Sequence, residues 1–112
     1  MNFSKYKAKR STKYGVKWSS LAELHYYETI KDDFKEIELQ PKIYLTDAKI
    51  LYRPDFKVVI NGKVVYLEVK GMETSVWKIK KRLYRAYCKD ELRIIKRSGK
   101  KFKVVEVING NT

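Results

Sequence analysis

The sequence predicts an α/β domain: a mixed central sheet with one helix before it and another after. Three observations carry that prediction. Two β-rich runs meet at Asn61-Gly62, a capped helical stretch begins at Ser20, and a second begins after Thr74 and leads into two further β-rich runs. One hundred and twelve residues suit a single domain over 1–112. Residues 1–12 are expected to form a basic, flexible N-terminal arm.

The hairpin is the most specific of the three. Asn-Gly is the strongest short-range signal for a two-residue type I′ turn. Such a turn sets Ile60 opposite Lys63 and Val59 opposite Val64, and further along it brings Asp55 opposite Glu68. Side chains alternate with period two, so Phe56, Val58, Ile60, Val65, Leu67 and Val69 share an apolar face that predicts core. Asp55, Glu68 and Lys70 converge at the open end of the other face. Opposed carboxylates on a sheet, about 4.5–5.5 Å apart, repel each other. They suit a hard divalent cation, which takes oxygen ligands at about 2.0–2.1 Å for Mg²⁺. The Val69 carbonyl could add an oxygen, and Lys70 could hold or polarise a water. The bland alternative is a solvated face whose acids are neutralised by Lys57 and Lys70. The register, the apolar reverse face and the basic chain around the acids favour a site.

Pro54-Asp55, a spacer of twelve residues and Glu68-Val69-Lys70 resemble the PD-(D/E)xK nuclease signature. Tyr52-Arg53-Pro54-Asp55-Phe56, Glu68-Val69-Lys70-Gly71, Ser20-Leu21-Ala22-Glu23 and Leu39-Gln40-Pro41-Lys42 further resemble the small phage-encoded endonucleases of that superfamily, some of which resolve branched DNA. The resemblance runs from about Lys13 to Cys88. It implies a restriction-endonuclease-like core and a Mg²⁺-dependent DNA endonuclease, with Mn²⁺ as a possible substitute. Glu23, Asp55, Glu68 and Lys70 would be catalytic, with metal held by Asp55, Glu68 and the Val69 carbonyl and Glu23 as a further candidate ligand. Glu23 would complete the acidic cluster, and Gln40 falls at a position near the active site. Branched DNA such as a Holliday junction is the expected substrate. Symmetric cutting by so small a chain would need a homodimer. The alternatives are a less structure-selective nuclease or nickase, and a non-catalytic DNA-binding module of the same fold.

Composition agrees with a polyanionic partner. Lys and Arg total 26 against 13 acids, a net charge of +13. One cysteine, Cys88, excludes an internal disulfide, and the single histidine, His25, leaves little for a zinc or histidine-triad site. No stretch approaches the roughly 18 apolar residues of a membrane span, and the start lacks a signal-peptide core. A cytoplasmic protein is expected, in the host cell if phage-encoded.

Taken in order, residues 1–18 interleave cations with aromatics, and Lys13 and Lys17 are candidate DNA contacts. Ser20 to Glu23 has the capping-box pattern, with Leu21, Leu24, Tyr27 and Ile30 as the expected core stripe. Residues 37–45 predict one edge strand, interrupted in character by Pro41. Residues 46–51 connect it to a strand entered through Tyr52 and Arg53, the latter a candidate DNA contact. Thr74 or Ser75 caps a helix to about Lys89, and the N–H groups there could meet a phosphate. Val76, Ile79, Leu83 and Tyr87 are its expected core stripe. Lys78, Lys81, Arg82, Arg85 and Lys89 form a basic stripe without acids, expected on the DNA backbone. Cys88 is expected to be a partly buried helical residue. Strands at 92–96 and 102–108 flank a turn at 98–101, and 109–112 is a polar tail.

Overall fold

The computed structural model describes residues 12–110. The basic arm expected over 1–12 therefore lies outside the described residues apart from the backbone of Thr12, as does the end of the tail. The chain divides into two compact units between Asp33 and Phe34.

In the first unit, β1 (Thr12–Lys13) and β2 (Val16–Lys17) form a hairpin. Tyr14 and Gly15 turn it, both at positive φ, which gives the primed turn that a two-residue loop prefers. Helix α1 (Leu21–Ile30) follows. Ser20 caps it by accepting from the Glu23 N–H at 3.1 Å. Leu24 and Ile30 are buried as expected, whereas Leu21 is exposed. The aromatic residues do the remaining packing: Trp18 and Tyr14 lie against Tyr27, ring centroids 5.1 and 5.5 Å away. The Trp18 indole N–H donates to the Lys13 carbonyl at 2.9 Å.

The second unit holds a five-stranded mixed sheet in the order β3-β6-β7-β8-β9. The strands are β3 (Glu38–Leu39), β6 (Phe56–Ile60), β7 (Lys63–Val69), β8 (Glu91–Ser98) and β9 (Lys101–Ile108). A separate two-stranded ribbon pairs β4 (Ile43–Tyr44) with β5 (Leu51–Tyr52). The β6–β7 hairpin has the expected register, Ile60 with Lys63 through Phe56 with Leu67, with Asn61 and Gly62 at φ 53° and 79°. Neighbouring pairs are antiparallel except β7–β8, which run parallel through the crossover helix α2 (Ser75–Tyr87).

Two strand expectations for this unit are corrected. The single strand over 37–45 is split into β3 and β4. Gln40 takes φ 49°, and Pro41 has no N–H to give to a ladder, so the chain turns out of the sheet there. Tyr52 and Arg53 likewise do not enter β6. Tyr52 ends the ribbon, and Arg53-Pro54-Asp55 bridges to the sheet.

Helix α2 packs on the sheet with a different face from the one expected. Its buried residues are Trp77 and Tyr84, which cluster with Leu45, Tyr52, Leu92, Ile94 and Ile108, and with Tyr66 and Leu83 at the margin. Val76, Ile79 and Tyr87, expected in the core, are 61%, 57% and 62% exposed. Two aromatics seven residues apart bury more surface than the aliphatic row. The Tyr84 hydroxyl also finds a partner inside, the Asp90 carbonyl at 2.7 Å. The helix ends two residues early, and Cys88 is an extended C-cap, not a helical residue. The start of the tail is tied down, since the Asn109 amide donates to the Cys88 carbonyl at 2.6 Å.

On the other face of the sheet Phe56, Val58, Val65 and Leu67 are buried, as the alternation predicts. Helix α2 covers the face that carries Tyr66 and Glu68, so neither side of β7 is a solvated face.

Candidate functional site: a buried carboxylate pair beside a basic cleft

Asp55 and Glu68 meet at the open end of the β6–β7 hairpin, one position beyond the last ladder pair. They are only 7% and 6% exposed. Carboxylates are rarely buried so deeply without partners, because the charged form loses its hydration. The structure supplies those partners one by one. Asp55 Oδ2 accepts from the Val69 N–H at 2.8 Å. Glu68 Oε1 accepts from the Tyr52 hydroxyl at 2.7 Å. The Lys70 ammonium stands 3.8 Å from Glu68 Oε2.

Each contact follows from local structure. The I′ turn fixes the register that carries Asp55 and Glu68 to the same end of the hairpin. Gln40, in its left-handed turn, donates its backbone N–H to the Asp55 carbonyl at 2.9 Å. Lys70 is held at the strand end by its own N–H, which donates to the Ile95 carbonyl at 2.9 Å. Its ammonium lies 4.7 Å from the centre of the Trp77 ring, a cation–π position. Burial, with the charges of Glu68 and Asp55 added, pushes the Tyr52 phenol far above its ordinary range. Tyr52 is therefore a fixed donor to Glu68 and cannot serve as a base.

A cleft of about 320 Å³ opens over this corner, lined by Tyr52, Arg53, Glu68, Lys70, Thr74, Trp77 and Lys80 among others. Tyr52, Trp77 and Lys80 are site residues that the sequence did not single out. Tyr52 stands three residues before Asp55, but its role depends on how the ribbon closes. Lys80 and Trp77 needed the helix's true buried face.

The other expected residues divide. Arg53 borders the cleft, its guanidinium 3.5 Å from the Gln40 carbonyl. Gln40 acts there through its backbone. Thr74 accepts from the Trp77 N–H at 3.1 Å as the helix cap. Lys78 and Arg82 are exposed. The basic stripe is not free of acids, because Glu106 of β9 reaches it: Lys81 pairs with Glu73 at 2.9 Å and Glu106 at 3.0 Å, and Arg85 pairs with Glu106 at 3.3 Å. Glu23, Lys13 and Lys17 belong to the first unit. There the Glu23 carboxylate accepts from the Ser19 hydroxyl at 2.6 Å, and Lys13 pairs with Glu28 at 2.6 Å, while Lys17 is exposed. The Val69 group seen at the site is its N–H. Among the described residues no three His, Cys, Asp or Glu side chains gather into a metal-holding group.

A larger cleft, about 1020 Å³, lies at the C-terminal end of α2 around Cys88, Glu91 and Asn109. Burial raises the Cys88 thiol above its ordinary value, which makes it a poor nucleophile. No helix among the described residues is long and apolar enough to cross a membrane.

Fold and site together define an α/β chain whose central hairpin presents Glu68 and Lys70 to a cation-lined cleft, with Asp55 buried beside Glu68 at the hairpin's open end. The chain belongs to the DUF1064 family, described as a protein of unknown function, whose model matches residues 3–104. No curated protein matches it.

Proposed function

We propose that this chain is a metal-dependent DNA endonuclease with a restriction-endonuclease-like core, of the PD-(D/E)xK type. The observation that carries the reading is the buried pair Asp55 and Glu68 with the Lys70 ammonium 3.8 Å from Glu68. The donor set is of hard carboxylate oxygens with no sulfur or imidazole, which fits Mg²⁺ or Mn²⁺. Asp55, Glu68 and the Val69 carbonyl would hold the ion. A bound Mg²⁺ would supply Lewis-acid polarisation of a phosphate oxygen and a water of lowered pKa.

The chain's own residues have distinct tasks. Tyr52 and the Val69 N–H fix the two carboxylates by hydrogen bonds, so the pair is organised before substrate arrives. Lys70, held by Glu68 and Trp77, keeps a positive charge where negative charge develops on the phosphate as water adds to phosphorus and the P–O ester bond breaks. Arg53 and the exposed Lys78 and Arg82 would meet neighbouring phosphates. Branched DNA is the substrate we propose, cut by a homodimer so that two strands are nicked symmetrically.

The test is cleavage of labelled four-way junction, fork, linear duplex and single strand with Mg²⁺, beside Glu68→Ala. Symmetric junction nicks lost in the variant are expected. Cutting of every substrate would remove the junction preference and keep the nuclease. Binding without cutting in either Mg²⁺ or Mn²⁺ would remove the nuclease and leave a DNA-binding module. A monomer by light scattering with junction bound would remove the symmetric pair of cuts.

A further inference from the structure

We infer that Lys80, with Arg53 and Lys70, forms a phosphate subsite beside Glu68 that grips the polyanionic backbone next to the bond being cut. The inference rests on the nuclease reading for its biological substrate, and on geometry for the subsite itself.

Lys80 and Lys81 are adjacent and both partly buried, yet their surroundings differ sharply. Lys81 is neutralised by Glu73 and Glu106. Lys80 has no carboxylate within ion-pair distance among the described residues, and it borders the 320 Å³ cleft. Three cations therefore line that cleft, and Glu68 is the one acid among its lining residues. Arg53 reaches a neutral carbonyl, which leaves its charge uncompensated. Lys70 already serves Glu68.

Like charges gathered around one cleft repel, and Lys80 and Arg53 have no acidic partner among the described residues to offset that repulsion. That cost becomes a gain when an anion enters. Guanidinium and ammonium donors at a cleft are suited to phosphate oxygens, with strong charge-assisted hydrogen bonds. A second phosphate, beside the one attacked, is the group that needs such a grip. Holding it positions the scissile bond.

The test compares the full chain with Lys80→Ala and Lys80→Arg. Cleavage kinetics with Mg²⁺ should show KM for DNA raised about tenfold or more by Lys80→Ala, kcat changed less, and KM restored in large part by Lys80→Arg. Binding without divalent cations should show a salt slope about 0.9 shallower for Lys80→Ala, as for loss of one phosphate contact. Inorganic tripolyphosphate should raise the melting temperature of the unaltered chain and not that of Lys80→Ala. Unchanged KM, salt slope and tripolyphosphate response in Lys80→Ala would overturn the subsite. If the unaltered chain cuts no DNA yet shows a Lys80-dependent tripolyphosphate response, the subsite stands and the nuclease falls.

Discussion

At Tyr52 a buried phenol spends its only proton on Glu68, 2.7 Å away. Tyr52→Phe keeps the ring against Trp77 and Tyr84 and removes just that donor. A buried carboxylate then loses one hydrogen bond, so denaturant unfolding should register a loss of about 1.5–3 kcal/mol. If the melt is unchanged, the phenol does not support Glu68. Asp55, Glu68 and Lys70 could be read from the chain because one Asn-Gly turn fixes their register. Tyr52 could not, since it reaches Glu68 from a ribbon that exists only because Gln40 and Pro41 take the chain out of the sheet.

Helix α2 separates hydrophobic pattern from packing. Its aliphatic row is the more regular stripe, but Trp77 and Tyr84 face the sheet. Trp77→Ala should cost about 3–5 kcal/mol by opening a cavity in the core, whereas Ile79→Gln should stay within about 0.5 kcal/mol. Chemical denaturation of both variants checks this, and equal losses would reverse the helix assignment. The same rotation sets Lys80 at the cleft, and β9 brings Glu106 from far along the chain to the basic stripe. Lys81 holds the Glu73 carboxyl below its ordinary value of 4.5. Stability from that depressed group is present above the unfolded value and is lost as pH falls through the folded one. Lys81→Met should therefore melt lower than the unaltered chain at pH 7, with the difference closing below about pH 4.5.

Across the molecule, 26 cations against 13 acids leave at least half of the positive charge without an acidic residue to balance it. If that surface binds DNA, log K should fall by about 0.9 per log unit of salt for each phosphate neutralised. Fluorescence anisotropy over a salt series measures the slope, and a nearly flat one would end the DNA-surface reading. The α/β class and the mixed sheet were legible in the order of turns and runs. The division at Asp33 was not, because the helix end and the loop after it carry no distinctive composition.

The strand that carries Glu68 pairs antiparallel on one side and parallel on the other, and Glu68 stands near its carboxyl end. One amide there faces the site: the Val69 N–H donates a hydrogen bond to Asp55 Oδ2. Its nuclear magnetic resonance signal therefore reads the electronic state of that carboxylate from within the central strand. Titration with Mg²⁺ should move the Val69 cross-peak early and strongly, and Asp55→Asn should blunt the response. The backbone itself would then report whether an ion has arrived, before any DNA is added.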